Sequence, residues 1–598
     1  MKARFVTVPT LGLSLLAAAV LHGHVARADQ GPTQQQADPL REPVAVSDGT
    51  LFPTGDLDPT AWDIPGELIV DLKDDVEESA VTGLLRGLGL TFHPTSLSAI
   101  TKAEIVDVPL GRMTETIEKL RRDPRVEIVE PLARVRAFFV PNDPMLKDQW
   151  HMERIGATRA WDFATGRGVT VAVVDTGIAC ETFGGFMKGT DLASTECVTG
   201  WNVVTGNEHA NDDQGHGTHV AGTIAQSTDN ALGGAGVAFH ARLMPVKVLN
   251  ADGFGTTADV ADGIRWAAEH GANVINLSLG GPRNSKVLQK AIDYARSRNV
   301  VVVAAAGNTG GSVQYPGAND GVIGVSATDP DDKIAKFSSR GEGVDIGAPG
   351  VNVTQQTICN KGRNKCETFP AWNGTSMASP HVAGAAALVM SLGVTEPSAV
   401  EAALRSTARV VDDSEAGKKQ YGAGILQAAS AVERITLKHA LVRFLALFGL
   451  TFLVASGARK KNQNAASPWT PLYWIPALVA GPGLFFFAPW ILPRVHLAVD
   501  LLARPLGDLD LVLGLDLHRF LPLANAVIPF ALTALTFGMK KARPAVAGLA
   551  VGTAAYLISV AALGEATGPF GQAALIGWAA VNAVVCLWLA RTNLAETN

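Results

Sequence analysis

Asn373-Gly374-Thr375-Ser376-Met377-Ala378-Ser379-Pro380-His381-Val382-Ala383-Gly384 is the stretch from which the rest of the chain can be read. It presents a serine on a turn of small residues that opens an alanine-rich helical segment. A serine hydroxyl is a weak nucleophile until a base takes its proton and an acid orients that base. Both residue types stand upstream in equally marked settings. Val171-Ala172-Val173-Val174-Asp175-Thr176-Gly177 is a short apolar run that delivers a carboxylate at its end. Gly215-His216-Gly217-Thr218-His219-Val220-Ala221-Gly222-Thr223 sets a histidine at the start of a small-residue helix. Asp, His and Ser follow in that order, and Ala304-Ala305-Ala306-Gly307-Asn308 adds an amide before the serine.

These four ordered blocks resemble the subtilisin-type serine endopeptidases, the subtilase family. The resemblance runs from near Gln149 to near Ala431, with a propeptide-like region before it. It implies that Ser376 attacks the scissile carbonyl, His216 takes and returns the proton, and Asp175 orients the imidazole. It also implies that the Asn308 amide and the Ser376 backbone N–H bind the developing oxyanion. That chemistry requires no cofactor. His219 and His381 read as packed structural histidines. His216 and His219 could suggest a metal pair, but no third ligand block accompanies them. The alternative function is a catalytically silent subtilase fold serving as a membrane receptor or scaffold.

A protein or peptide substrate is expected to bind as an added strand on exposed backbone. Ser278-Leu279-Gly280-Gly281 resembles the family segment on one side of the cleft, and Gly253-Phe254-Gly255 the segment on the other. Between Gly280 and Ala306-Gly307 the specificity pocket is expected to have apolar walls and to favour a large uncharged side chain. Thr228-Asp229-Asn230-Ala231-Leu232-Gly233-Gly234 falls where the family has a calcium loop. A structural calcium with Asn230 as side-chain ligand is one reading, and a plain surface loop is the other.

The catalytic region alternates apolar strands (169–175, 242–249, 273–279, 300–305, 322–327) with helices (257–270, 284–298). That pattern predicts a parallel α/β sheet with helices on both faces, spanning a domain from 139 to 433. Before it, residues 63–138 carry three strand-like and two helical segments. This make-up resembles the family's inhibitory propeptide, down to Glu127-Ile128-Val129-Glu130-Pro131, and implies that the propeptide is the enzyme's own inhibitor. The junction is expected between Ala133 and Asn142.

A net charge of −6 across 598 residues, with no basic run longer than three, gives no reason to expect a nucleic-acid partner. Met1-Lys2-Ala3-Arg4, the apolar stretch Leu11–Leu21 and Ala26-Arg27-Ala28 predict a signal peptide over 1–28. A polar linker over 29–62 follows it. In an exported protein the five cysteines are most simply read as two local disulfides, Cys180 with Cys197 and Cys359 with Cys366, leaving Cys586 unpaired. Four cysteines still allow three pairings.

Residues 434–598 change character. Hydrophobic stretches at 440–456, 471–492, 521–538, 546–564 and 571–590 predict an all-α transmembrane bundle of five helices in a lipid bilayer. Arg459-Lys460-Lys461, Lys540-Lys541-Ala542-Arg543 and Arg591 follow the first, third and fifth. With the protease outside, these basic ends fall inside, and the C-terminus is cytoplasmic. The stretches read as nearly free of ionisable groups, which favours an anchor over a transporter or sensor. Between the second and third, leucines alternate with polar residues from Asp508 to His518, a period-two pattern that predicts an amphipathic strand.

Overall fold

A computed structural model of the protein describes residues 63–95, 98–133, 139–536 and 538–595. The expected signal peptide and linker, and part of the expected propeptide junction, lie outside the described residues. The chain forms two compact units, one ending at Ala133 and the other beginning at Arg134.

The first unit contains β1 (Asp63–Leu72), α1 (Glu78–Gly87), β2 (Thr91–Pro94), β3 (Ala103–Asp107), α2 (Met113–Arg121) and β4 (Val126–Ala133). The strands pair antiparallel in the order β2-β3-β1-β4. Alternation in β1 turns Leu68, Val70 and Leu72 inward, where they meet Leu85, Val106 and Leu120. The sequence predicted three of these strands; the short β2 is additional.

The second unit is built on β5 (Thr170–Asp175), β6 (Trp201–Asn202), α3 (His216–Ala225), β7 (Arg242–Lys247), α4 (Thr257–Glu269), β8 (Val274–Leu277), α5 (Lys286–Ser297), β9 (Val301–Ala305), β10 (Ile323–Thr328), β11 (Ile346–Pro349) and α6 (Thr375–Met390). Its seven strands lie parallel in the order β11-β10-β9-β8-β5-β7-β6. Every residue of β5, β8, β9 and β10 is buried, as continuous Val/Ile/Ala runs require when helices cover both faces. Val171, Val173 and Val303 face one core with Val220 of α3 and Val382 of α6. Ala172, Val174 and Val302 face the other with Ile264 of α4 and Ile292 of α5.

The helix that follows, α7 (Ala428–Lys461), runs 34 residues without interruption. Its first turns lie in the core of the parallel sheet through Ala431, Val432 and Ile435. Glu433 there accepts three charge-assisted bonds from Arg159, at 2.8 and 2.9 Å from one terminal nitrogen to its two oxygens and at 3.2 Å from Nε, with both side chains buried. Further along, Leu447, Val454 and Ala458 join a second core with α8 (Pro471–Ala480), α10 (Arg543–Leu563) and α11 (Gln572–Ala595); α9 (Val527–Thr536) lies between α8 and α10 in the chain. Among the described residues, three helices are long and apolar enough to cross a membrane, within 428–461, 540–563 and 572–595. The other two predicted stretches form helices of 10 residues each, α8 and α9. Gly481-Pro482-Gly483 stops α8 well short of residue 492.

The expected strand between Asp508 and His518 is not one. Leu506–Val512 is a 3₁₀ helix and Leu515–His518 a helical turn. Alternation failed as a guide because burial does not follow it: Leu511, Leu515, Asp508 and Asp510 are buried, whereas Leu513 and Leu517 are exposed. Leu511 and Leu515 enter the core of the parallel sheet. Asp508 pairs with Arg443 at 2.8 Å, and Asp510 with His518 at 2.7 Å. Arg443, inside the first apolar stretch, is therefore a buried ionisable group there, against the nearly charge-free reading.

This segment docks at the amino ends of the sheet strands. Leu515 N–H donates to Gly168 O at 3.2 Å, just before β5. Gly168 has φ +82°, and a Cβ there would lie 1.7 Å from Leu511 O, so no side chain fits. Thr567 donates to Asn299, just before β9, at 3.4 Å. Leu511→Asp should consequently destabilise the protein by at least about 3 kcal/mol and open residues 500–519 to protease nicking. Leu513→Asp, at a position 73 % exposed, should leave both readouts unchanged; equal effects of the two changes would refute this docking.

Candidate active site

The sheet brings the sequence-predicted residues together at its carboxyl ends, where open parallel sheets place their sites. Asp175 is the last residue of β5 and fully buried. His216 opens α3, and its Nδ1 lies 2.7 Å from Asp175 Oδ1. The same oxygen accepts the Thr176 backbone N–H at 2.7 Å. Burial opposes charge on His216, but the Asp175 carboxylate and, further off, Asp212 lift its pKa above the ordinary value. Asp212 had no signal of its own in the sequence. It is buried under the start of α3 and accepts from Thr218 Oγ1 (2.7 Å), Thr218 N (2.9 Å) and Gly215 N (2.8 Å), fixing the turn that carries His216.

Ser376 is the second residue of α6, so its backbone N–H is one of the unpaired donors at a helix start. Its hydroxyl donates to Ser278 O at 3.1 Å rather than to His216, and Ser278 Oγ donates back to Ser376 O at 2.7 Å. Thr375 orients the neighbouring amide: its N–H and its hydroxyl both donate to Asn308 Oδ1, each at 2.9 Å. A backbone N–H can only donate, so the atom it meets is the amide oxygen, and the Asn308 NH₂ is left for the cleft. Thr375 was visible in the sequence only as a neighbour of the serine.

A cleft of about 720 Å³ adjoins His216, lined by Gly253, Phe254, Gly255, Ser278, Leu279 and Gly280. Gly307 is buried and does not line it. A Cβ on Gly307 would lie 2.5 Å from Gln314 Oε1, and one on Gly280 3.6 Å from the same atom. The space between these glycines thus holds an amide side chain, which corrects the expectation of purely apolar walls.

Both disulfides form as the simplest pairing predicted, Cys180–Cys197 and Cys359–Cys366, and Cys586 is free and buried. Their loops are tied together: Arg363 lies 3.9 Å over the Phe186 ring and donates to Gly184 O at 2.7 Å. Asn230 gains a partner that lies 39 residues away in sequence. Its amide donates to the buried Asp191 carboxylate at 2.7 Å, beside Gln226 (2.5 Å) and the Gly234 N–H (3.1 Å). Burial, opposed by these neutral donors, pushes Asp191 up to about 7. No group of three or more His, Cys, Asp and Glu capable of holding a metal occurs among the described residues.

Comparison with known proteins decides the family. Residues 166–424 match the profile of the "Subtilase family", and residues 62–131 match the "Fervidolysin N-terminal prodomain". Thermitase of Thermoactinomyces vulgaris is 40% identical over 300 residues, covering 49% of this chain and 100% of thermitase. The chain belongs to the subtilase family. Subtilisin Savinase of Lederbergia lenta is 43% identical over 284 residues, 47% of this chain and 97% of that protein. A thermophilic serine proteinase of Bacillus sp. (strain AK1) is 37% identical over 333 residues, 55% of this chain and 79% of its own length. The subtilase is thus a serine endopeptidase made with an N-terminal prodomain, acting on protein substrates.

The two other histidines of the subtilase motifs are packing elements. His219 stacks on Trp372 at 4.4 Å, and His381 Nε2 lies 2.8 Å from His151 Nδ1. Burial pushes His219 down to about 3 and His381 down to about 4. A group with a depressed folded pKa stabilises the fold above its unfolded pKa, near 6.5, and loses that contribution as pH falls through the folded value. The unfolding temperature should therefore drop steadily from pH 6.5 to 4, and less steeply in His381→Gln. Identical slopes in thermal scans of the two proteins would count against this assignment.

Proposed function

We propose that this subtilase is a membrane-anchored, extracytoplasmic endopeptidase in which Ser376 is the nucleophile, His216 the general base, Asp175 its orienting acid and Asn308 an oxyanion donor. The observation that carries the reading is the 2.7 Å bond from His216 to the buried Asp175, in a unit where Ser376 bonds to Ser278 of the cleft wall and its neighbour Thr375 bonds to the Asn308 amide. Ser376 rotates away from Ser278 to reach His216, which takes its proton as the hydroxyl attacks. The tetrahedral oxyanion is then held by the Asn308 NH₂ and the Ser376 N–H. His216, now charged beside Asp175, gives the proton to the leaving amine, and water releases the acyl group.

Ser376→Ala should abolish labelling by a fluorophosphonate and cleavage of casein, and the protein should accumulate with its prodomain uncut. Asn308→Ala should lose about 100–1000-fold in kcat with KM little changed. Because His216 must be neutral to act as base and its pKa is raised, the acid limb of kcat/KM should lie above pH 6.5. Full labelling of Ser376→Ala would instead favour another nucleophile, and absence of labelling in the parent would favour a silent scaffold.

The membrane reading is supported by the three long apolar helices and by outward-facing Phe452, Leu535, Val581 and Trp588, each more than half exposed. Basic residues after 456, 538 and 590 put those ends inside, which leaves the catalytic unit outside.

Calcium is proposed as a structural ion held by Asp191 and Asn230, where it would supply the counter-charge that the buried carboxylate lacks. Removal of calcium with EGTA should lower the unfolding temperature of the parent and leave that of Asp191→Asn unmoved. An EGTA-insensitive parent would make the segment a plain surface loop.

A further inference from the structure

Between α7 and the segment 482–508 lies a cavity of about 30 Å³ lined by Arg443, Arg494, Arg504, His439, Asp508 and Phe486. A single water needs about 10–15 Å³ of such space, so the cavity holds more than one water-sized group. Its charges do not balance. Arg504 is satisfied: it donates to both Asp500 oxygens, at 2.8 and 3.1 Å, and to Ser391 O at 2.8 Å. Arg443 donates through one nitrogen to Asp508, at 2.8 Å, and its buried Nε has no partner. Among the described residues Arg494, 6 % exposed, finds no side-chain hydrogen-bond partner. Its nearest carboxylate oxygen, on Asp500, is 4.0 Å away, and its Nε is buried without a partner. Arg167 also turns to Asp500, at 3.9 Å. Four guanidinium groups thus share two carboxylates, Asp500 and Asp508. His439 is turned to Glu565, at 2.8 Å.

Taking an unpaired guanidinium out of water costs several kcal/mol, and such groups are found with an acceptor. Burial first, then the neighbouring Arg504 and Arg443 against the pull of Asp500 and Asp508, push Arg494 down to about 10. Arginine's planar fork suits phosphate oxygens. The chain beside the cavity also exposes Phe485, Phe487, Ile491 and Leu492, each more than two-fifths accessible. These are side chains suited to the apolar edge of a lipid layer.

We propose that this cavity binds a phosphate group, with Arg494 and Arg443 as its ligands, and that the bound anion completes the joint between the helical bundle and the base of the catalytic unit. The phosphate is either the headgroup of an anionic phospholipid or the free inorganic ion. The site is independent of the catalytic assignments.

The test uses the full-length protein in a phosphate-free nonionic detergent. Its unfolding temperature is followed against sodium phosphate, with chloride at equal ionic strength as control, and separately against dioleoylphosphatidylglycerol. A saturable rise of roughly 3–6 °C is expected. A rise with inorganic phosphate alone identifies the free ion; a rise only with the lipid identifies the headgroup. Arg494→Met, which removes the unpaired charge and keeps the packing stem, should abolish the rise and leave peptide hydrolysis unchanged. Native mass spectrometry of the parent should show one phosphate or phospholipid retained per chain, whatever the fate of the variant. No rise and no retained phosphate group, or an equal rise in Arg494→Met, overturns the proposal.

Discussion

Helix α7 belongs to two hydrophobic cores at once, and that single constraint governs the second unit. Ala431, Val432 and Ile435 are packed beneath the catalytic sheet, whereas Leu447, Val454 and Ala458 are packed among the apolar helices. No residue between them leaves the helix. A break there would have to free backbone bonds and separate two packed faces together. The catalytic core cannot therefore swing on a tether. The Arg159–Glu433 pair anchors the upper turns, and a buried charge of this kind is lost only at the cost of leaving its partner unpaired.

From that constraint the direction of the active site follows. The docking segment meets the sheet at Gly168, ahead of β5, and Thr567, in the connection after α10, meets it at Asn299, ahead of β9. Asp175, Ser278 and Asn308 stand at the opposite, carboxyl ends of β5, β8 and β9. The five steps from Thr170 to Asp175 span about 17 Å at the usual rise of a parallel strand. On the membrane-anchored reading, the cleft opens on the far side of the sheet from the lipid. It is then suited to soluble or extended protein segments and badly placed for those emerging directly from the bilayer. A flexible anchor would impose no such selection.

The chemistry was legible in the sequence because each block needs particular residues: a carboxylate closing an apolar strand, a histidine opening a helix, a serine on a small-residue turn. Five of the seven strands of the parallel sheet were legible to within two residues, because fully buried β-branched runs have few other uses; the short edge strands β6 and β11 carry no such run and were not read. What could not be read was partnership across distance. Asp191 meets Asn230, and Arg443 meets Asp508, 65 residues apart, only after folding. The alternating leucines from 509 to 517 misled for the same reason. A period-two pattern signals one wet face only when the polar residues go to water, and here Asp508 and Asp510 go inward to Arg443, Tyr556 and His518. The spacing that mattered was Leu511 to Leu515, four apart, which suits a helical turn.

The hydrogen bonds of Ser376 connect this architecture to turnover. Its hydroxyl is held by the carbonyl of Ser278, and Ser278 lies in the cleft wall where a substrate strand would pair. An incoming backbone N–H needs an acceptor on that wall, and the Ser278 carbonyl is one of the groups available to it. When the substrate takes that carbonyl, the serine hydroxyl loses the partner it has here, and on the proposed mechanism its new acceptor is the imidazole of His216. Asp175 already holds that imidazole in the tautomer that leaves Nε2 free to accept. Substrate pairing would thus release the nucleophile toward its base at the moment the scissile carbonyl arrives. On the proposed triad, the bond from the Ser376 hydroxyl to its own main chain makes alignment of serine and base a consequence of substrate binding.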